Sequence, residues 1–445
     1  MNRDIPPIKP EEEAAAQAQA FDWENCWYPV SFLRDLPRDR PTRVTLYDTG
    51  LVLFFDGDGQ LACLRDLCPH RAARLSDGQI IDGRLECLYH GWQYDRAGDC
   101  QYIPQMLPGK DYPIRSCVRV YPLEIRQGIV WIWAGTAEAA DPALIPQSPS
   151  AGIGDVYDVT FQMDLPYDQS YLIENVIDVA HIHIAHDGVR GGGLREAAKP
   201  LDFDIKHNGP GGIRATFRSV GLERDADSPE IRDARVEFVA PNLIRYASAY
   251  ADGDLIAGLE LFSLPMGKGR CRLLYRKYSN FTPWWERIKP RWLEHQTQCL
   301  ILEQDMGVVV GQHEEIETAG GNLRDLWLPI KSSDRLVIEY RKWLDRHGAA
   351  LPFYRGFTSA KNSGLEPEEA HAAFDRHTLH TRICETCQRV VRNIDRAITA
   401  LAVVAAISFA AAIWVGSAGG SGALLVLALL ALLSIALLRR FRARF

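Results

Sequence analysis

From Phe21 to about Gly135 the apolar residues come in short runs, Val44 to Phe55 and Leu61 to Leu64 among them, cut by turn residues such as Asp56-Gly57-Asp58-Gly59. Short apolar runs bounded by Gly and Asp predict strands, so this part reads as all-β. A Pro/Ala/Ser-rich linker at 136–154 separates it from a second pattern. There a strand-like run at 156–163 leads into a helical segment, and further strands are expected at 213–220, 234–239, 255–264 and 270–278. The Gly-rich residues 189–212 read as a mobile loop. A long helical pattern runs from Trp284 to about Gln312, and the class expected is α+β.

The C-terminal pattern is different. Residues 397–417 carry no charge, nor do residues 422–438, and Gly419-Gly420-Ser421 lies between them. Both stretches approach bilayer-spanning length, the second at its lower limit. Arg389, Arg392 and Arg396 precede the pair, and Arg439, Arg440, Arg442 and Arg444 follow it. The bias of basic residues then puts both ends on the cytoplasmic side, which predicts a transmembrane helical hairpin over 397–438.

Length and composition narrow the picture. The 445 residues, 47% of them apolar, suffice for two or three domains with a sizeable core. A net charge of -7 and a pI near 6.0 give no reason to expect nucleic acid as a partner. The first twenty residues are acidic and Ala/Gln-rich and read as a disordered N-terminus with no secretory or transit signal, which leaves the body cytosolic. Ten cysteines in such a compartment point to metal or redox chemistry rather than disulfides. No GxGxxG or GxxxxGK[ST] loop is present, so electrons for redox chemistry must come from outside the chain.

Two constellations carry chemistry. Cys68-Pro69-His70 and Cys87-Leu88-Tyr89-His90 form CxH and CxxH arms within the all-β part. Each arm offers one thiolate and one imidazole, as a Rieske 2Fe-2S cluster requires, since two cysteines hold one iron and two histidines the other. A zinc ribbon would use CxxC or HxxxH arms instead. Cys26, Cys63, Cys100 and Cys117 lack matching partners and are expected to be buried small apolar residues.

The second constellation is the stretch from Glu174 to Gly188, with Asn175, Asp178 and His181 at three-residue spacing on one helical face. His186 lies about 140° from His181 on a straight helix, so a shared metal requires a local distortion such as a π-bulge. His183, about 200° around the helix from His181, is left out. Asp305 would complete a two-histidine, one-carboxylate set for non-haem Fe(II), but Glu303, Glu314 and Glu315 offer the same charge, and spacing does not choose among them.

CxH plus CxxH followed by NxxDxxHxxxxH resembles the Rieske non-haem iron oxygenases. Trp27-Tyr28-Pro29-Val30, Pro290-Arg291-Trp292, Glu303-Gln304-Asp305-Met306, Lys331-Ser332-Ser333-Asp334 and Tyr340-Arg341-Lys342-Trp343 are similar to the pheophorbide a oxygenase and chlorophyllide a oxygenase branch, over roughly residues 21–438. The resemblance implies a Rieske domain at 21–145, a helix-grip-like catalytic domain of antiparallel sheet and helix at 155–350, a linker at 351–396 and a membrane anchor at 397–438. It implies that Cys68, His70, Cys87 and His90 hold the 2Fe-2S cluster, and that His181, His186 and Asp305 hold a mononuclear Fe(II). Asp178 would relay electrons between subunits of a head-to-tail homotrimer, bridging His181 to His90 of a neighbouring copy, with Asn175 in a supporting role.

The implied reaction takes electrons from an external ferredoxin, and dioxygen, to oxygenate a hydrophobic substrate of the chlorophyll-type tetrapyrrole class. The catalytic domains would lie on the cytoplasmic or stromal face of the membrane. Cys384-Glu385-Thr386-Cys387 resembles the branch's C-terminal CxxC, a candidate redox switch; as half of a zinc site it needs a second pair that the sequence does not supply. Two other readings stay open: a sterol or other lipid as substrate, and a membrane electron-transfer or redox-sensing protein without oxygenase activity.

Overall fold

The computed structural model describes residues 20–189, 192–218, 231–250, 255–362, 375–416 and 421–445, so the expectation of a disordered N-terminus falls almost wholly outside the described residues. The first half is built from small antiparallel sheets. Strands β1 (Trp27–Phe32), β2 (Thr42–Leu46), β3 (Thr49–Phe55), β4 (Leu61–Arg65), β5 (Gln79–Ile81), β6 (Arg84–Glu86), β7 (Gln93–Tyr94), β8 (Cys100–Tyr102), β9 (Leu123–Arg126) and β10 (Ile129–Trp133) form three of them, in the orders β1-β10-β9, β2-β3-β4 and β5-β6-β7-β8. Val52, Phe54, Leu64, Leu75, Leu85 and Tyr94 make a core directly beneath Cys68 and Cys87. Cys63 and Cys100 are buried as expected, whereas Cys117 is exposed and Cys26 only partly covered. The Cys117 expectation therefore fails, because a short polar loop rather than a strand carries it.

A seven-stranded antiparallel sheet dominates the second half. It comprises β11 (Tyr157–Leu165), β12 (Asp202–Gly209), β13 (Gly212–Arg218), β14 (Ile231–Val239), β15 (Leu243–Tyr250), β16 (Ile256–Gly267) and β17 (Arg270–Ser279), in the order β11-β17-β16-β15-β14-β13-β12. Two of these strands were not expected. β12 is an edge strand whose charged residues hide its alternation, a usual guard against edge pairing. Part of the Gly-rich loop expected at 189–212 is therefore sheet. β15 mixes Arg, Ser and Ala with apolar residues on both faces.

Helices cover the sheet. In chain order they are α1 (Gln169–Ile177), α2 (Ile182–Ala185), α3 (Trp284–Arg287), α4 (Arg291–Ala319), α5 (Leu323–Leu326), α6 (Arg335–His347) and α7 (Arg376–Leu379). The helical pattern expected over 284–312 is two helices, because Pro290 has no N–H to continue the first and instead starts the second. Cys299, Leu302, Met306 and Val309 recur at three- and four-residue spacing on α4, and this face shares one core with Phe161 and Met163 of β11. That core also takes in Tyr28 and Val30 of β1, so the two halves are packed as one body. Buried Arg272 ties the seam, donating to Asp164 at 2.6 and 3.1 Å and to the Val30 carbonyl at 3.1 Å.

The chain ends in α8 (Glu385–Val415) and α9 (Ser421–Arg442), both long and apolar enough to cross a membrane. Ile407, Ile413, Trp414, Leu429 and Leu437 stand exposed, while Ala405, Ser408, Ala412, Ala428 and Ala431 are buried. Small residues let two helix backbones approach closely, as helices do in lipid. At the open end of the pair, Arg442 donates to Asp395 at 2.6 Å.

Candidate metal centres

The two cluster arms adopt the same turn. The Cys68 N–H donates to Ala73 O and the Ala72 N–H to Cys68 O; the Cys87 N–H donates to Trp92 O and the Gly91 N–H to Cys87 O, all within 2.8 to 2.9 Å. The fourth residue after each cysteine has positive φ, +59° at Ala72 and +72° at Gly91. At Gly91 a Cβ would also sit 3.0 Å from the Pro104 ring, a tight contact that favours glycine there.

These turns bury Cys68 and Cys87 and leave His70 and His90 at the surface, their ring centroids 4.4 Å apart. His70 stacks on Trp92 at 4.7 Å, and Tyr94 Oη lies 3.3 Å from Cys68 Sγ. Two sulfurs inside and two imidazoles outside, on one small sheet, fit the asymmetric donor set of a Rieske cluster.

The stretch from Glu174 to Gly188 is not one bulged helix. It breaks outright at Asp178, whose backbone is extended (φ −78°, ψ 109°) and whose Oδ1 accepts the Ala180 N–H at 2.8 Å. A short polar side chain that bonds its own backbone two residues on offers an alternative to the helical bond. The break resets the helical phase. His181 then starts α2 and His186 ends it, and their rings come within 5.4 Å.

Asp305, on the buried face of α4, meets both. Its Oδ1 is 3.2 Å from His186 Nε2 and 3.7 Å from His181 Nε2, and donor atoms of the three residues lie within 4.8 Å of one another. The far nitrogens are also engaged: His181 Nδ1 is 3.3 Å from Asp178 Oδ2, and His186 Nδ1 is 3.0 Å from Gln304 Oε1. Each Nδ1–H then donates to an oxygen and each Nε2 lone pair faces the shared point, as ligand imidazoles are held. When His186 Nε2 carries a proton in place of a metal, burial disfavours the charged ring, but the hydrogen bond and charge of Asp305, helped by Gln304, outweigh it and raise the imidazole above its ordinary value. Two imidazoles and one carboxylate with open positions fit non-haem Fe(II).

The other acids lie elsewhere. Glu303 pairs with Arg376 at 2.6 Å, and Glu314 and Glu315 are exposed. Glu174 is buried against Arg341 and lines the same cavity, but it is not among the three residues whose donor atoms converge. His183 accepts the Leu194 N–H at 3.3 Å and stays outside. Asn175, Asp178, His181 and Asp305 line a cavity of about 610 Å³ whose further walls include Glu174, Gln312 and Asp334 as well as Val308, Val309, Trp327, Leu328 and Val337.

Gln304 was not singled out in the sequence, because a residue adjacent to Asp305 points about 100° away on the helix. The cavity residues at 326–329 likewise carry no motif. Cys384 and Cys387 are brought to neither iron site. They are buried beside His295 and His380, so the second pair missing from the sequence is supplied by the fold.

Residues 26–122 match the Rieske [2Fe-2S] domain, and residues 238–322 match the pheophorbide a oxygenase family. Protein TIC 55 of Arabidopsis thaliana is 32% identical, over 92% of this chain and 82% of its own. Pheophorbide a oxygenase of the same organism is 31% identical, over 84% and 73%. Dicamba monooxygenase, in a crystal structure with dicamba, is 23% identical and superposes with a TM-score of 0.61 over 74% of this chain and 98% of its own, a likeness of fold. With the paired turns and the imidazole-carboxylate set in one body, these similarities make the chain a member of the Rieske non-haem iron oxygenases, in the pheophorbide a oxygenase branch, with a 2Fe-2S cluster and a mononuclear iron as its cofactors.

Proposed function

We propose that this oxygenase is held in a membrane by α8 and α9, takes electrons from an external ferredoxin, and oxygenates a hydrophobic chlorophyll-type tetrapyrrole. In this reading Cys68, His70, Cys87 and His90 hold the 2Fe-2S cluster, and His181, His186 and Asp305 hold the mononuclear iron. Iron bound there supplies the activation of dioxygen, since a three-residue set leaves coordination positions free. The domain limits follow the same reading: Rieske domain at 21–145, catalytic domain at 155–350, CxxC-bearing segment at 351–396 and anchor at 397–438.

The chain's own groups do the positioning. Asp178 and Gln304 hold the Nδ1 protons of His181 and His186 and so aim both Nε2 atoms inward. His70 and His90 lie at the surface, where an external donor has access to them. Asp178 and His181 keep side-chain exposures of 23% and 22%, so the pair is open to a neighbouring subunit. That supports the homotrimer reading, in which electrons from His90 of one copy reach His181 of the next through Asp178. Asn175 shares the cavity wall.

The observation that carries the substrate class is the cavity itself. Its lining sets Val308, Val309, Trp327, Leu328 and Val337 against the polar groups of Glu174, Asn175, Asp178, His181, Asp305, Gln312 and Asp334, and Leu328 stands 95% exposed. A site of several hundred Å³ that combines apolar walls with convergent polar groups suits a bulky, largely apolar molecule that carries polar substituents. Apolar α8 and α9 would keep such a site at the surface where these molecules dissolve.

The test is turnover of detergent-purified protein with reduced ferredoxin under heavy-isotope dioxygen, offering chlorophyllide, pheophorbide and a sterol separately. Heavy oxygen in a tetrapyrrole product is the expected result. Label in the sterol alone would reject the tetrapyrrole assignment.

A further inference from the structure

Cys384 caps the N-terminus of α8 and Cys387 sits in its first turn, and both are wholly buried. Two imidazoles converge on them. His295 comes from the first turns of α4, and His380 from the turn after α7; both are buried as well. His295 Nδ1 is 3.4 Å from each sulfur, and His380 Nε2 is 3.3 Å from Cys387 Sγ. Donor atoms of all four residues lie within 4.8 Å of one another.

The far nitrogen of each ring decides what the near one offers. His295 Nε2 is 3.0 Å from the Thr160 carbonyl and His380 Nδ1 is 2.7 Å from the Gln162 carbonyl. A carbonyl only accepts, so both far nitrogens carry protons. Each near nitrogen of a neutral ring is then an unprotonated lone pair aimed at the sulfurs. Imidazoles that bind metal are held in this way, by a backbone carbonyl on the nitrogen that does not coordinate.

We propose that His295, His380, Cys384 and Cys387 form a closed metal site whose occupant is zinc. Two thiolates and two imidazoles are a zinc donor set, and four protein ligands leave no open position, which is the mark of a structural rather than a catalytic ion. This sets the site apart from the three-ligand iron centre and goes beyond the oxygenase reading, on which it does not depend.

Its position assigns its role. His295 lies ten residues before Asp305 on the same helix, Thr160 and Gln162 belong to β11, and the cysteines begin α8. The ion rivets the root of the apolar helix pair to the helix that bears Asp305. Contacts around it follow the same seam: Gln162 Nε2 donates to Ile383 O at 2.5 Å, Arg291 to Thr386 Oγ1 at 3.1 Å, and Trp292 and Phe445 pack against the cysteines.

The whole 445-residue chain, purified in detergent after expression with iron and zinc, is the material for the test. Metal analysis should find about one zinc per chain beside about three irons. A mercurial that modifies Cys384 and Cys387 should release that zinc stoichiometrically, and the Cys384→Ser/Cys387→Ser variant should lose it while keeping the iron and the Rieske spectrum. The mercurial titration needs no variant, so failure of the variant to fold does not shield the idea. Zinc-free protein with both thiols free, a Cys384–Cys387 disulfide in protein alkylated on lysis, or zinc that survives the double substitution would each overturn it.

Discussion

Gln304 and His186 are joined side chain to side chain, Oε1 to Nδ1 at 3.0 Å, while Asp305, the next residue after Gln304, approaches the opposite ring nitrogen at 3.2 Å. One turn of α4 thus grips both edges of one imidazole. The contact fixes which nitrogen bears the proton, and the loss of such a partner typically costs 10–100-fold in metal affinity. Gln304→Leu should therefore weaken mononuclear iron binding by about that factor and leave the cluster spectrum alone, whereas Gln304→Glu keeps an acceptor and should retain iron. Iron remaining after dialysis against graded chelator is the measurement. Equal retention by wild type and Gln304→Leu would remove Gln304 from the site.

Asp305 and Glu303 are two residues apart and face different tasks. Asp305 is buried between His181 and His186, and Glu303 holds Arg376. Asp305→Ala is expected to lose the mononuclear iron and keep the Rieske spectrum. Glu303→Ala should keep all iron and cost about 1 kcal/mol or less, the usual worth of a partly exposed ion pair. Metal analysis of the two variants side by side separates them; iron lost from Glu303→Ala instead would reverse the assignment.

How far the sequence revealed these sites tracks how local they are. The arms proposed to hold the cluster were legible because each pair of candidate ligands sits within four residues of one turn, Cys68 to His70 and Cys87 to His90. The His181 and His186 pair was visible, but the helix break that unites them was not, since Asp178 competes for its own backbone only in the folded turn. Asp305 could not be separated from Glu303 by spacing, because burial of one face of α4 depends on packing against β11. His295 is 89 residues from Cys384 in the chain, so no local pattern joins them, although His380 four residues ahead of Cys384 was in plain view. The polar edge strand β12 went unseen for a related reason: its place is set by pairing with β13 rather than by its own alternation.

In the proposed site Asp178 is a positioning residue, since it touches His181 Nδ1 rather than the Nε2 that faces Asp305. Asp178→Asn keeps one oxygen, which serves the Ala180 N–H that holds the helix break, and removes the charge and the acceptor facing His181 Nδ1. Both metals should stay bound. Reoxidation of the reduced cluster by substrate and dioxygen should slow by roughly tenfold or more, the scale of losing a ligand's partner. Stopped-flow absorbance of the cluster reads this step directly. A purely structural role would change iron content instead, and an unchanged reoxidation rate would take Asp178 out of the electron path.

Asp35 supplies a pH dependence distant from the iron. It is buried and receives Arg291 through two bonds, at 3.2 and 3.1 Å. Burial, reinforced by the nearby Cys384 and opposed by Arg291, pushes its carboxyl up from 3.8 to about 6. The folded protein then binds this proton more tightly than the unfolded chain does. Its contribution to stability is fully present below about pH 4, falls as pH rises through about 6, and is level above that. A displacement of this size corresponds to roughly 2–3 kcal/mol across the window. Asp35→Asn has no proton to exchange, so its urea midpoint in detergent should change less between pH 4.5 and 7 than that of the wild type. Parallel midpoint curves for the two proteins would mean that Asp35 titrates normally in the fold, with Arg291 rather than burial setting its proton affinity.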